Sequence, residues 1–354
     1  QIQASGDEPA SLFGIWKVTK GQAVYADRFQ PPFALNVYNW LFYYGYGSVI
    51  RFVQWMTGLG DSWQPTIGRM LTVLSMVVGV AIVYAILVFR EAIDTALHRR
   101  LCLALAVFLF TGPLIGFWSF SVRPDIWVLA MEAAAVGVFL RLYPNNRIAA
   151  VLSFAVVAYI AWSLKHTGIM ACGAVGLFLV VRREWKLIVV LVVAMSTAWG
   201  ATLGLGGQLY WETIFTVGHE MHYSLEMGIR NLTNAGVKTA PLWVMAAVFI
   251  GVLSASPGGR RRILDNDKLT LAISGIVVTT VLTVAAGTQT YGGEHYYFAS
   301  TFFLAFGSVA AISVFIREQI TLPRWAIGLA SAAWLAVSLA IVAVFFGLVG
   351  RLDL

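Results

Sequence analysis

The chain has 354 residues and a formal net charge of +7, with 59% hydrophobic and only 12% charged residues, and its mean hydropathy is +0.78. That balance excludes an ordinary soluble domain, and a soluble enzyme carried on a single anchor, because apolar segments recur along the whole length. The basic residues are dispersed over short loops, a pattern of membrane topology and not of a nucleic-acid surface; the two cysteines, Cys102 and Cys172, each sit inside an apolar stretch and offer neither a disulfide framework nor a thiolate metal site.

In chain order, the first thirty-odd residues from Gln1 are polar enough to lie outside the bilayer, and a signal peptide or a first transmembrane helix upstream would fit them equally well. The segment from Ala34 to Leu59 is aromatic, with Tyr38, Trp40, Phe42, Tyr43, Tyr44 and Tyr46, and reads as a helix lying at the membrane surface or dipping into it. Apolar segments follow near 69–91, 101–119, 126–143, 148–164, 168–181, 187–205, 241–256, 269–287, 297–316 and 325–349. A membrane-crossing helix needs roughly 20 such residues, and shorter ones serve inside a bundle. The expected fold is all-α: a polytopic transmembrane bundle of about ten helices with room for one more upstream. Residues 1–68 then form an outer-face loop with interfacial helices, and 69–354 the bundle, interrupted by an outer loop at 206–240.

Placing 90–100, 141–147, 182–186, 257–268 and 317–324 on one side collects fourteen of the 24 Lys and Arg residues in short loops, which makes that side cytoplasmic. The long segments 1–68 and 206–240 then face the exterior or the periplasm. Most of the residues capable of chemistry fall on that outer side.

Five groups there carry candidate chemistry. Asp7-Glu8-Pro9 offers a carboxylate as general base or cation ligand, but an acid before Pro is also an ordinary helix start. Asp27, beside Arg28 and ahead of Pro31-Pro32, is either a working carboxylate or half of a local ion pair. In Arg123-Pro124-Asp125, Pro124 begins a helix and Asp125 suits its first turn; Arg123 is left to pair with Asp125 or to bind a phosphate. Lys165-His166-Thr167-Gly168 forms another outer turn, where the Lys either snorkels to head groups or joins Arg123 in a clamp for a lipid phosphate. His219-Glu220-x-His222, with Glu226, could hold a divalent metal or be a hydrated loop with incidental histidines, while Glu294-His295-Tyr296-Tyr297 places polar groups at the mouth of a helix. The chain has no phosphate-cradling P-loop, dinucleotide glycine fingerprint or serine elbow, so nucleotide hydrolysis and serine acyl transfer have no support.

Taken in order, Asp7-Glu8, the stretch Lys20 to Asp27, Pro31-Pro32, the aromatic run Tyr38 to Tyr46, Gly60-Asp61-Ser62, Gly68-Arg69, Arg123-Pro124-Asp125, Lys165 to Gly168 and Glu294 to Phe298 resemble the GT-C superfamily. These are polytopic glycosyltransferases that use polyprenyl-phosphate-linked sugars. The resemblance is to the bacterial protein mannosyltransferase-like and lipid A aminoarabinose transferase-like branch, and it covers most of the chain. It implies a bacterial inner-membrane enzyme that moves a sugar, with inversion, from a polyprenyl-phosphate donor to a hydroxyl of a lipid, glycan or protein acceptor at the periplasmic face. It also implies a catalytic acid in the first outer loop, matched here by Asp7 with Glu8 beside it.

Charge and depth, not the resemblance, nominate Arg123, Lys165 and His166 for the donor phosphate. Asp27, Asp125, Tyr210, Trp211, Glu294 and His295 are expected to border the substrate cavity, with Tyr210 and Trp211 available for sugar stacking. No cofactor is required by the sequence; a divalent metal is compatible with it, with His219 and His222 as candidate ligands. The expected partners are the lipid-linked donor, the acceptor, membrane lipids and further membrane subunits. Two other readings stand beside the enzyme: a non-catalytic GT-C-like subunit of a membrane assembly, and a transporter or flippase of lipid-linked substrate, which would place charge near mid-helix as at Glu132.

Overall fold

The computed structural model describes residues 8–27, 29–31, 35–89, 95–216, 222–289 and 293–352, with side chains as far as Ala343. Among these residues the fold is helical throughout, apart from one isolated bridge between Tyr223 and Gln289. There are thirteen α-helices: α1 (Glu8–Thr19), α2 (Trp40–Thr57), α3 (Gln64–Val88), α4 (Ala96–Thr111), α5 (Asp125–Leu142), α6 (Arg147–Leu164), α7 (Met170–Val181), α8 (Trp185–Trp211), α9 (Leu225–Ala255), α10 (Gly259–Asp265), α11 (Asp267–Gly287), α12 (Phe298–Arg317) and α13 (Arg324–Leu352).

Seven of the described helices, α3, α6, α8, α9, α11, α12 and α13, are long and apolar enough to cross a membrane. The other three expected spans are helices of a different kind. α4 has 16 residues and α7 only 12, while α5 carries Asp125, Glu132 and Arg141 within 18 residues. Neighbours shelter short or charged helices of this type, so protein contacts stand in for direct exposure to lipid.

The centre of the molecule is α12, whose sequence FASTFFLAFGSVAAISVFIR has small and aromatic residues on every side, so no face is suited to water. It is buried along nearly its whole length, with α9 and α11 flanking it and α3, α4 and α5 also in contact. A second group of helices, α3, α5 and α6, packs side by side, and α8 leans on α6. Large apolar side chains remain on the outside of the spans, among them Val77 on α3, Val189 on α8 and Leu335 on α13, as expected where lipid is the solvent.

α1 and α2 pack against one another, and α2 buries Phe42, Tyr43, Tyr46 and Ile50 in an aromatic core that also takes Ile15, Val24 and Tyr38. Its opposite side leaves Phe52, Trp55 and Met56 exposed. Hydropathy placed the first span at residue 69, but α3 begins at Gln64, with Pro65 in the first turn where its missing N–H costs nothing.

The segment 206–240, expected as an outer loop, is largely helical. α8 runs to Trp211 and passes into a π-helical turn over Glu212–Thr216, and α9 then runs unbroken from Leu225 to Ala255 with Pro241 inside it. The Ser224 hydroxyl caps α9 by accepting the Met227 N–H at 3.4 Å. Its 31 residues make a rod about 46 Å long, longer than the hydrocarbon core, so its polar first half extends past the apolar stretch that hydropathy detects.

Candidate active site

At one end of the bundle three charged side chains converge out of water. Asp125, in the first turn of α5, accepts from Lys165 Nζ at 2.6 Å and from Arg123 Nε at 3.1 Å. All three side chains are 4% exposed. Pro124 sets the entry to α5 and an acid is favoured in that first turn by the helix dipole. Lys165 follows the last residue of α6 and begins a turn closed by Gly168 N–H donating to the Lys165 carbonyl at 2.9 Å. A Cβ on Gly168 would lie 2.5 Å from the Ala161 carbonyl, so only glycine lets the turn fold back onto α6 and aim Lys165 at α5.

Aromatic rings enclose the cations. The Arg123 guanidinium lies 3.9 Å from the Trp118 ring centre and 5.8 Å from Tyr38. The Lys165 ammonium lies 5.5 Å from Tyr38 and 5.8 Å from Tyr296. Ring faces are negative and attract cations more strongly where water is excluded. His295 completes the cluster, its ring centre 5.0 Å from that of Trp118 and 4.4 Å from that of Tyr296. Among the described residues, two fixed cations meet one carboxylate here.

Glu132, two turns below Asp125 on the same face of α5, accepts the Ala171 N–H at 3.1 Å and so caps the start of α7 from a neighbouring helix. A cavity of about 20 Å³, room for a single water, is lined by Asp125, Glu132, Thr167 and His295. Glu132→Leu is expected to lower unfolding stability by about 1–3 kcal/mol, because the Ala171 amide loses its acceptor in a buried place. Glu132→Gln, which keeps a carbonyl oxygen, is expected to cost less. Thermal unfolding of both proteins in detergent checks the order.

The amino-terminal segment is fastened to this end. The Glu8 carboxylate, 1% exposed, accepts from Arg69 Nη2 at 2.8 Å and Nε at 3.0 Å, and from the Val122 N–H at 3.0 Å. Glu8→Gln is expected to cost about 1.5 kcal/mol, at the low end for bonds to a charged group because Arg69 is 32% exposed. An Arg69→Gln partner variant and the double variant, run as a cycle in the same unfolding assay, would isolate the pair.

Asp7 and His219 are outside the described residues, as are Arg28 and Glu220. His166 is exposed although it adjoins Lys165, and His222 is exposed too. Asp27 accepts the Phe29 N–H at 2.9 Å, closing its own turn. Glu294 is turned to Lys238 on α9, away from its neighbour His295. Tyr210 is buried and donates to Asn39 Oδ1 at 3.2 Å, whereas Trp211 is half-exposed and stacks on Phe215, so the adjacent pair does not share a surface. No group of three or more acidic, His or Cys side chains suited to a metal occurs among the described residues, and both Asp125 oxygens are already engaged by cations. The described residues therefore do not form a metal site. Trp118 and Tyr38, which wrap the cations, carried no sequence signal beyond being aromatic near an outer junction.

The sequence matches no family model and no curated protein. Among solved structures the chain is similar to the archaeal oligosaccharyltransferase AglB from Archaeoglobus fulgidus in complex with an inhibitory peptide and a dolichol-phosphate, with a TM-score of 0.57 and 12% identity over 95% of this chain and 51% of that one. It is similar as well to an Archaeoglobus fulgidus oligosaccharyltransferase in complex with Zn and sulfate, with a TM-score of 0.55 and 14% identity over 96% of this chain and 48% of that one. The chain thus spans about half the length of these structures. The likeness is one of fold: a helical arrangement in which seven of the described helices are long and apolar enough to cross a membrane.

Proposed function

We propose that the protein is a membrane glycosyltransferase that moves a sugar from a polyprenyl-phosphate donor to an acceptor hydroxyl at the outer, periplasmic face of a bacterial inner membrane, as in the mannosyltransferase-like and aminoarabinose transferase-like enzymes. The observation that carries this reading is the convergence of Arg123, Asp125 and Lys165 at one end of a GT-C-like bundle. The paired guanidinium and ammonium suit a departing lipid phosphate, and low polarity around them strengthens the attraction.

In this reading the acceptor hydroxyl attacks the anomeric carbon from the side opposite the phosphate. The bond from that carbon to the phosphate oxygen breaks, and polyprenyl phosphate leaves with the electron pair toward Lys165 and Arg123. Asp7 takes the hydroxyl proton. Glu8 is the less suitable base, since Arg69 and the Val122 amide occupy its carboxylate. It acts instead as the tie that brings the start of α1 to Val122, and Asp7 directly precedes it in the sequence.

The use of Glu132 as a cap for α7 argues against a transport relay. A non-catalytic subunit draws its support from the full engagement of Arg123 and Lys165 by Asp125. The deciding assay is polyprenyl phosphate release by the purified protein in nanodiscs, across a panel of polyprenyl-phosphate sugars with candidate acceptors. Release coupled to acceptor glycosylation supports the transferase. A folded protein that turns over no donor would place it among assembly subunits.

A further inference from the structure

At the end of the bundle away from Asp125 lies a larger space, of about 350 Å³. α5 carries Asp125 in its first turn and Leu140 near its last residue, about 22 Å further along, and Leu140 lines this space with Phe89, just past α3, and Pro144, just past α5. The rest of the wall is charged: Arg262, Lys268 and Arg317 line it together with Asp265, Asp267 and Glu318, from the ends of α10, α11 and α12. Local structure brings these groups together. The Asn266 side chain accepts the Leu269 N–H at 3.1 Å and so starts α11 directly after α10, with Asp265 and Asp267 on either side of it. α12 ends in a left-handed turn at Gln319, φ 51°, closed by the Ile320 N–H donating to the Phe315 carbonyl at 3.0 Å, which sets Arg317 and Glu318 at the wall.

The six charges are not equally engaged. Glu318 is bonded to Arg262 at 2.5 Å and Asp267 to Arg182 at 2.5 Å, while Lys268 donates to the Phe89 carbonyl. Arg317 meets its neighbour Glu318 at 3.4 Å and is 55% exposed; Asp265 meets Arg261 at 3.5 Å and is 71% exposed. Exposed pairs of this kind are worth little and give way to a better partner. Among the described residues the wall thus balances three cations against three carboxylates, with one of each sign loosely held.

That balance specifies the occupant. A bare anion would meet the carboxylates as well as the cations, and a bare cation the reverse. The complement is a group with both charges on one short skeleton, its anion for Arg317 and its cation for Asp265. The space lies where α3, α5 and α12 end, at the level of lipid head groups, which selects phosphate as the anion. The cation is a primary ammonium, which donates hydrogen bonds to a carboxylate; quaternary ammonium is recognised by aromatic cages, and Phe89 is the one aromatic ring among the described lining residues. The volume is at the small end for ligand pockets, suited to such a group with the glycerol beside it.

We infer that this space is a seat for a phosphoethanolamine group, with Arg317 on the phosphate and Asp265 on the ammonium. The short basic loops assign this end to the inner side of the membrane, so the group is either the headgroup of an inner-leaflet phosphatidylethanolamine or a free ester of the same chemistry. The inference does not depend on the transferase reading.

The test is native mass spectrometry and thermal unfolding of the full chain in phosphatidylcholine nanodiscs into which phosphatidylethanolamine or phosphatidylglycerol is titrated. Phosphatidylethanolamine should be retained in preference to both other lipids and should raise the melting temperature. Asp265→Asn and Arg317→Gln should each weaken its retention about tenfold, the worth of one charged hydrogen bond. Both positions are exposed, so in phosphatidylcholine alone the two variants should melt as the wild type does. Lys186→Gln, which removes an exposed cation of the same side outside the space, should leave the preference intact. Glycerophosphoethanolamine, the headgroup without its chains, tells the sources apart: displacement of the lipid identifies a free ester as a sufficient occupant, and retention of the lipid identifies the membrane headgroup. Equal retention of the three lipids, preference for phosphatidylglycerol, or undiminished preference in Asp265→Asn would overturn the assignment.

Discussion

Replacing Asp125 with alanine is expected to lower stability by about 3–5 kcal/mol, the usual consequence of removing one member of a buried ion group. The reason lies in what stays behind. Arg123 and Lys165 are each 4% exposed, and without Asp125 the guanidinium and the ammonium would each lose a carboxylate partner in a dry, aromatic surround. Trp118, Tyr38 and Tyr296 offset only part of that cost. The combined replacement Arg123→Met, Asp125→Leu, Lys165→Met is expected to recover most of the loss, since apolar groups of similar size pack without needing a counter-ion. Thermal unfolding followed by tryptophan fluorescence gives the order wild type, triple variant, single variant. A single variant that melts like the wild type would show that the ion group does not form. The triple variant also separates folding from chemistry, because it should be stable yet unable to hold a leaving phosphate.

Asp7→Asn is expected to behave in the opposite manner, leaving the melting temperature in place and reducing polyprenyl phosphate release by about 10²–10⁴-fold, the typical worth of a general base. Glu8→Gln provides the contrast, since its carboxylate is a structural tie to Arg69 and Val122 and its loss should register mainly as lowered stability. Single-turnover measurement at saturating donor is the appropriate readout, because it reports the chemical step apart from product release. Full activity in Asp7→Asn would move the base to another residue.

The helical character was legible because composition and apolar segment length state it directly, and Arg123 and Lys165 stood out as cations in turns that the charge pattern assigns to the outer side. What sequence could not give was the third member's role. Asp125 looks like a first-turn acid whether or not a lysine forty residues later folds back onto it. Hydropathy registers α4, α5 and α7 as apolar alongside the longer helices, and only the structure shows that their length and charge make them dependent on neighbours. The described residues of 206–240 are more helical than their composition suggests. The polar residues there and Pro241 look like a loop, yet a helix already begun can carry both when it projects beyond the apolar layer and packs on its neighbours. Tyr210 and Trp211 show the finest limit, since adjacent residues on a helix face different surroundings and only coordinates tell which one enters a pocket.

The tie at Glu8 also imposes an order of events on a growing chain. Its two partners lie 61 and 114 residues later, and Asn39 waits still longer, for Trp162 and then for Tyr210. Synthesis proceeds from the amino terminus at roughly 5–20 residues per second. For several seconds, then, α1 and α2 exist before anything they are fastened to. The segment that frames the charge cluster is made early and docked late, and the enclosure is complete only once His295 and Tyr296 have been made.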